Sequence, residues 1–189
     1  MGAGILPVAI HNNKIYFLLG LENEYNDTPG WADFGGGKKS NETSIETASR
    51  EGSEELNGFF GTKENIKSLI ENHTILKVDI NSYITYIVKV QYDEDMPTYF
   101  NNNYIFSKKY LGSTISNKNN GLFEKQKIKW FTYKEVTKET NYRIYYTKII
   151  NEIKNNKKLL FNNLRKKNKT IKKHNNKHNR SKKLTHFNL

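Results

Sequence analysis

The sequence predicts an α/β fold in which a mixed β-sheet lies between helices. Its 189 residues are the length of a single domain with a sizeable core. Short runs of β-branched and aromatic residues are typical of strands, and they are interspersed with segments whose apolar residues recur every three or four positions, as in amphipathic helices. The two kinds of segment alternate irregularly, which favours a mixed sheet over a regular parallel one.

The first two strands are predicted over residues 3–10 and 14–20, two apolar runs separated by a short polar turn. Pro7 cannot donate to a sheet ladder, so it indicates an edge position or a bulge in the first strand. A polar loop follows over 21–30, and then residues 31–34 form a short strand that leads into three glycines. Further strands are predicted over residues 74–80, 83–91 and 127–133.

Two helices are predicted after residue 60. Residues 64–72 have the apolar spacing of a short helix. Residues 141–164 place aromatic and aliphatic side chains at helical spacing, which predicts one long amphipathic helix that covers the sheet. Between them, an acidic loop at 93–95 precedes an Asn-rich aromatic segment that reaches about Gly121, where no helix or strand is predicted.

Composition limits the chemistry and divides the chain. No cysteine is present, which excludes disulfides, thiolate nucleophiles and Cys-ligated zinc. No apolar run reaches the ~18 residues of a membrane helix, and the N-terminus lacks a basic signal region, so we expect a cytoplasmic protein with no membrane partner.

Of the 31 Lys and Arg, ten fall within residues 165–183, which contain no acid. We therefore predict a folded domain over 1–164 and a basic, disordered tail over 165–189.

A segment between Gly36 and Gly58 carries the clearest chemical signal. Glu51, Glu54 and Glu55 share one face of a predicted helix, where three like charges repel each other. A hard divalent cation such as Mg²⁺ would remove that conflict and could bridge to substrate phosphates. The carboxylates alone therefore predict a metal site.

The same segment predicts its own helix boundaries and packing. Thr43 with Glu46 forms a capping-box pattern that begins the helix, and Gly58 ends it. The face opposite the carboxylates is predicted to be buried and consists of Ile45, Ala48, Gly52 and Leu56. Because glycine in a helix interior costs roughly 1 kcal/mol, Gly52 indicates close packing of the helix on the sheet.

The pattern resembles the Nudix box, G-x5-E-x7-R-E-U-x-E-E-x-G-U, in which U is apolar. Its matching positions are Gly36, Glu42, Arg50, Glu51, Glu54 and Glu55. Two positions depart from the pattern, because Gly52 replaces an aliphatic residue and Gly58-Phe59 follows one residue late. The resemblance implies an α/β/α sandwich and hydrolysis of diphosphate linkages in nucleoside diphosphates joined to another group, with Mg²⁺ or Mn²⁺ as cofactor.

The resemblance also implies roles for the matching residues. The metal would be held by the Gly36 carbonyl and by the carboxylates of Glu51, Glu54 and Glu55. Glu42 would brace Arg50, which in turn would orient the ligand carboxylates.

A further carboxylate often completes such sites as a metal ligand or general base. Glu124, on the loop that enters the last strand, is the candidate, with a plain surface glutamate as the alternative. Glu94 and Asp95 are weaker alternatives for this role.

Aromatic and basic residues beside the glycines are candidates for substrate binding. Tyr25 and Trp31 could stack on a nucleobase, although Trp31 could equally be a core residue, as we expect for Phe34. Lys38 and Lys39 could meet phosphate or simply be solvated.

Three functions remain open. The box variant resembles Nudix proteins of large DNA viruses, some of which decap mRNA, and the basic tail would give capped RNA sequence-independent affinity. Small anionic substrates are the second possibility: sugar nucleotides, dinucleoside polyphosphates or diphosphoinositol polyphosphates. A non-catalytic RNA-binding module is the third, and the intact carboxylate set argues against it. The tail could also be a solubilising or nuclear-targeting segment.

Overall fold

The computed structural model describes residues 1–117 and 121–166. Within these ranges one sheet contains seven strands: β1 Gly2–His11, β2 Lys14–Glu22, β3 Trp31–Ala32, β4 Phe34–Gly37, β5 Thr74–Ile80, β6 Tyr83–Lys89 and β7 Lys125–Thr132. The helices are α1 Ser44–Glu55, α2 Lys63–His73, α3 Met96–Tyr110, α4 Gly112–Ser116, α5 Tyr133–Lys138 and α6 Tyr146–Asn155, and residues 157–166 form a further helical segment. The predicted tail over 165–189 falls almost entirely outside the described residues.

The sheet is mixed, as predicted. Its order is β3-β2-β1-β6-β5, with β4 paired to β1 and β7 paired to β2. Strands β1 and β6 run parallel, whereas the other described pairs are antiparallel. The seam between β1 and β6 is therefore the place where two antiparallel groups of strands join.

Helices cover both faces of this sheet and make the α/β/α arrangement. On one face α1, α2 and α3 pack around a buried cluster that includes Ile5, Leu18 and Phe100. On the other face α5 and α6 pack around Leu6, Phe17 and Tyr146 and their neighbours. Successive residues of β1 alternate between the two clusters, as the period of two in a strand requires.

Pro7 corrects one expectation, because it lies in a central strand and not at an edge. Along one side of β1, β4 pairs with residues 2–5 and β2 pairs with residues 8–11, so Pro7 falls where one antiparallel partner replaces the other. Neither of these described strands pairs with Pro7 on that side. A residue without an N–H is tolerated at such a gap.

The predicted helix over 141–164 is also corrected, since the structure divides it. The chain at 141–143 is extended beside β3: Trp31 N donates to Asn141 O at 2.8 Å, and Arg143 N donates to Trp31 O at 3.2 Å. Helix α6 then begins at Tyr146 and ends at Asn155, a turn follows at Asn156, and residues 157–166 are again helical. Leu160 and Leu164 in this last segment are buried, so the predicted covering role holds.

Three helices were not predicted from the sequence: α3, α4 and α5. Helix α3 contains three consecutive asparagines, which have low helix propensity. It forms nonetheless because Phe100 and Tyr104 are buried on its inner face. No helix in the described part of the chain is both long enough and apolar enough to cross a membrane.

Candidate metal and active site

Helix α1 begins with the predicted capping box. The Thr43 side chain accepts from Glu46 N, and the Glu46 side chain accepts from Thr43 N. After Glu55 the chain leaves the helix, and Gly58 adopts a φ of 75°, which glycine allows without strain. A Cβ at Gly52 would lie 3.0 Å from Ile5 Cδ1, which confirms the close packing of α1 on the sheet.

Arg50 is the centre of an ion-pair cluster on α1. Glu42 accepts two hydrogen bonds from Arg50, from Nε at 2.8 Å and from Nη2 at 3.1 Å. These bonds are the main reason why the pKa of Glu42 is lowered to about 2. Arg50 Nη1 lies 2.8 Å from Glu51 Oε1 and 3.0 Å from Glu54 Oε2. Glu42 thus holds the guanidinium, and the guanidinium holds two of the box carboxylates.

The glycines of β4 lie directly against the carboxylates of α1. A Cβ built on Gly36 would stand only 2.6 Å from Glu51 Oε1, so any larger residue would displace that carboxylate. Gly35 N donates to Glu55 Oε2 at 2.7 Å. These contacts explain why the glycine run precedes the acidic helix.

A buried ionic network that was not predicted from the sequence lies beneath the helix. Lys125 is completely buried, and its Nζ contacts Glu22 and lies 3.0 Å from Glu55 Oε1. Burial alone would lower the pKa of Lys125, but Glu55 and Glu22 outweigh it and raise that pKa. Arg143 Nη1 lies 3.0 Å from Glu22 Oε1 and adds a second cation. The only sequence signal was the position of Lys125, next to Glu124 and just before the predicted last strand.

Glu124 lies on the loop that enters β7, close to the box carboxylates. Burial raises the pKa of Glu124, and the Glu22 and Glu54 carboxylates also raise it, whereas the Lys125 and Arg143 cations oppose this rise. Burial likewise raises the pKa of Glu51, to which Glu54 and Glu124 contribute. The alternatives lie elsewhere: Glu94 lines a different cavity, and Asp95 precedes α3.

The donor set suits a hard divalent cation by its chemistry. Glu51, Glu54 and Glu124 are close enough for their charges to act on one another, and the Gly36 backbone adjoins Glu51. Oxygen ligands of this kind are what Mg²⁺ and Mn²⁺ take. Both oxygens of Glu55 already have a partner, because Gly35 N donates to Oε2 and Lys125 Nζ lies 3.0 Å from Oε1. Glu55 is therefore less available to a metal than Glu51 and Glu54. Across 1–117 and 121–166, no group of three or more His, Cys, Asp or Glu stands at metal-ligand spacing. Arg50 contacts both Glu51 and Glu54 in this structure.

The residues predicted to bind substrate do not share one environment in the structure. Trp31 is 8% exposed and packs against Phe131 at a centroid distance of 4.8 Å, so it is a core residue, as is the fully buried Phe34. Tyr25 is exposed and lines a small cavity of 140 Å³ together with Glu124. Lys38 and Lys39 are exposed beyond the end of β4.

A cavity of 470 Å³ lies on the other side of the glycine run. It is lined by the three glycines Gly35–Gly37 and by Tyr83, Arg143, Tyr145 and Lys148 among others. Gly36 is common to this cavity and to the carboxylate cluster. A larger cavity of 1080 Å³, between the β1–β2 turn, α2 and residues 89–96, shares no residue with either.

Asp33, between β3 and β4, is fully buried behind this cavity. Burial raises its pKa to about 6, although the carboxylate accepts from Thr85 Oγ1 at 2.7 Å and from Tyr83 Oη at 3.0 Å. These bonds fix Tyr83 in the cavity wall.

No protein-family model matches this chain, and neither does any curated protein. Among solved structures it is similar to a C. elegans Ap4A hydrolase in a binary complex, with 18% identity over 81% of this chain and 93% of that chain and a TM-score of 0.47. It is also similar to the M. smegmatis Nudix hydrolase RenU, with 15% identity over 82% and 83% of the two chains and a TM-score of 0.47. It is also similar to the Nudix domain of Shewanella oneidensis NrtR complexed with ADP ribose, with 12% identity over 82% of this chain and 85% of that chain and a TM-score of 0.41. Likeness at this level does not carry an activity to this chain.

Proposed function

We propose that this protein is a metal-dependent hydrolase of diphosphate linkages in nucleoside-diphosphate-X substrates. The observation that carries the proposal is that Arg50 holds Glu51 and Glu54 beside the Gly36 backbone, with Glu124 near enough for its charge to act on both. Burial and neighbouring carboxylates raise the pKa of Glu51 and of Glu124, which favours either a proton or a cation there, and a cation is the state that serves phosphate chemistry.

The residues of the chain would divide the work. Glu51 and Glu54, with the Gly36 carbonyl, would hold Mg²⁺ or Mn²⁺, and Glu55 would join them or anchor the helix to β4. When bound, the metal neutralises diphosphate oxygens and lowers the pKa of a bound water. Glu124 would accept the proton of the attacking water, a task that suits a carboxylate whose pKa is raised by burial. Arg50 would keep Glu51 and Glu54 oriented, and Glu42 would keep Arg50 in place.

The 470 Å³ cavity is the proposed position of the nucleoside part of the substrate. Tyr83 and Tyr145 bring their rings within 5.0 Å of each other in its wall, and Lys148 and Arg143 supply positive charge for a phosphate. This assignment replaces Trp31 as the stacking residue. Tyr25, Lys38 and Lys39 stay candidates for the part of the substrate beyond the scissile bond.

Capped RNA is the first substrate proposed, and small anionic substrates are the alternative. The basic residues within 165–183 support RNA as the substrate, because clustered Lys and Arg bind phosphate groups independently of the nucleotide sequence. The near balance of charge in the rest of the chain supports a small substrate equally well.

An activity panel tests the proposal. Purified protein with Mg²⁺ or Mn²⁺ would be given cap-labelled RNA, dinucleoside polyphosphates, a sugar nucleotide and a diphosphoinositol polyphosphate. We expect metal-dependent hydrolysis of a diphosphate linkage in at least one substrate, which would release a nucleotide from the first three and orthophosphate from the diphosphoinositol polyphosphate. No turnover of any diphosphate with either metal would contradict the proposal and favour a non-catalytic binding module.

A further inference from the structure

Helix α3 carries apolar side chains on both of its faces. The inner face buries Phe100 and Tyr104 against the sheet. The outer face exposes Tyr99, Ile105, Phe106 and Tyr110, each about 60% accessible to solvent. A helix on the surface of a globular protein normally has one apolar face, and a contiguous exposed group of this kind marks an interaction site.

The exposed rings are aligned along the helix. Tyr99, Phe106 and Tyr110 are separated by seven and four residues, a spacing that keeps them on one face over about 16 Å of helix. The rings of Phe106 and Tyr110 are 4.8 Å apart at their centroids and tilted by 45°, so they form a continuous aromatic surface. Such a surface has room for two or three flat rings of a ligand.

The charges around the rings indicate which ligand. Residues 96–117 contain Lys108 and Lys109 and no Asp or Glu. Lys109 Nζ lies 5.1 Å from the centroid of the Tyr110 ring, whereas Lys108 pairs with Glu24 at 2.6 Å. Lysine is depleted from protein–protein interfaces, which also need about 20–30 residues on each side. Aromatic rings with adjacent cations are instead the pattern of single-stranded nucleic acid surfaces.

We propose that the outer face of α3 is a stacking surface for single-stranded nucleic acid. Bases would stack on Tyr99, Phe106 and Tyr110, and a phosphate would lie near Lys109. The acidic residues 93–95 precede α3, so the phosphates would lie toward the C-terminal half of the helix. Binding at this face does not depend on the proposed hydrolysis.

The position of α3 connects this surface with the candidate active site. The Lys108–Glu24 ion pair attaches the C-terminal end of α3 to the loop that carries Tyr25. Tyr25 and Glu124 line the same small cavity, together with Ile115 of α4. A bound nucleic acid chain that continues past the C-terminal end of α3 would therefore arrive beside Glu124.

Fluorescence anisotropy on the full chain, in EDTA so that no hydrolysis occurs, tests the proposal. The probes are labelled 12-nucleotide oligouridine, oligothymidine of the same length and a duplex of equal charge. We expect single strands to bind, and the triple variant Tyr99→Ser, Phe106→Ser, Tyr110→Ser to bind at least tenfold more weakly, because stacking contributes about 1–3 kcal/mol per base. The ratio of the RNA and DNA affinities identifies which strand the face prefers.

Two controls separate stacking from other causes. The double variant Tyr99→Phe, Tyr110→Phe keeps the rings and should keep the affinity, and Ile144→Ser changes an exposed apolar residue elsewhere and should have no effect. The loss in the triple variant should persist as salt rises, since the basic residues that set the salt dependence are unchanged. Equal binding by the triple variant and the unmodified protein would overturn the proposal. Sedimentation that shows a dimer converted to a monomer by the triple variant would also overturn it, because the face would then bind a second copy.

Discussion

Lys125 Nζ lies 3.0 Å from Glu55 Oε1, and neither side chain exposes more than 2% of its surface. The other Glu55 oxygen accepts from Gly35 N at 2.7 Å. The end of α1 is thereby fixed both to β4 and to the start of β7. This pair ties the carboxylate helix to the strand that follows Glu124, so the geometry of the candidate site depends on a buried charge.

Replacing Lys125 by methionine should destabilise the fold strongly. Methionine is unbranched and only one atom shorter than lysine, but the substitution leaves Glu22 and Glu55 without their common cation, and breaking a buried pair in this way costs about 3–5 kcal/mol. Urea unfolding followed by circular dichroism measures the change. Lys129→Met is the matched control, because Lys129 is about half exposed and its ion pair with Glu135 is 3.6 Å long. A loss below about 1 kcal/mol for Lys125→Met would contradict this account of the network.

The sequence predicted the parts of this molecule that depend on local chemistry. The capping box at Thr43 and the packing of Gly52 follow from spacing along one helix, and the structure has both. The contacts of Lys125 and Arg143 with Glu22 could not be predicted, because 103 and 121 residues separate the partners and only the tertiary fold brings them together. Helix α3 was missed for a similar reason: packing on β7 overrides the low helix propensity of its asparagines.

Replacing Glu54 by glutamine should abolish hydrolysis without unfolding the protein. The change removes a proposed metal ligand, whereas its structural cost is one partly exposed ion pair with Arg50, worth about 0.3–0.5 kcal/mol, offset by weaker repulsion among the carboxylates. Turnover at saturating Mg²⁺ and the urea midpoint measure the two effects separately. Glu71→Gln, on the exposed side of α2, is the control. Normal turnover by Glu54→Gln would remove that residue from the site.

Replacing Glu124 by glutamine should lower kcat more than it raises KM. A general base or auxiliary ligand acts chiefly in the transition state, and we expect a loss of about 10²–10⁴-fold in kcat. Steady-state kinetics on the best substrate of the panel makes the comparison. Glu94→Gln tests the weaker alternative and should leave both constants unchanged. A larger effect of Glu94→Gln than of Glu124→Gln would reverse the assignment.

The ion pair between Glu42 and Arg50 should make stability depend on acid pH. Hydrogen bonds from Arg50 lower the pKa of Glu42 from 4.5 to about 2, so the carboxylate stabilises the fold above pH 4.5, and that contribution is lost as the pH falls toward 2. The difference in unfolding free energy between the unmodified protein and Glu42→Gln should therefore be largest above pH 5 and shrink below it. Urea titrations at pH 6, 4 and 3 measure it. A difference that stays constant down to pH 3 would show that the pKa of Glu42 is not depressed.

Truncation after Leu164 should separate the two proposed substrate classes. The buried Leu160 and Leu164 are retained, so the core should still fold, while the ten positive charges of residues 165–183 are lost. If capped RNA is the substrate, KM for long RNA should rise and its salt dependence should flatten, by about 0.7 in the log–log slope for each lost phosphate contact. A free cap dinucleotide is too short to reach those charges, and its hydrolysis should hardly change. An enzyme for small substrates should show no dependence on RNA length before or after truncation. Equal kcat/KM for long RNA in the full-length and truncated proteins at low salt would remove the basic residues from the decapping hypothesis, and the small-substrate alternative would then take precedence.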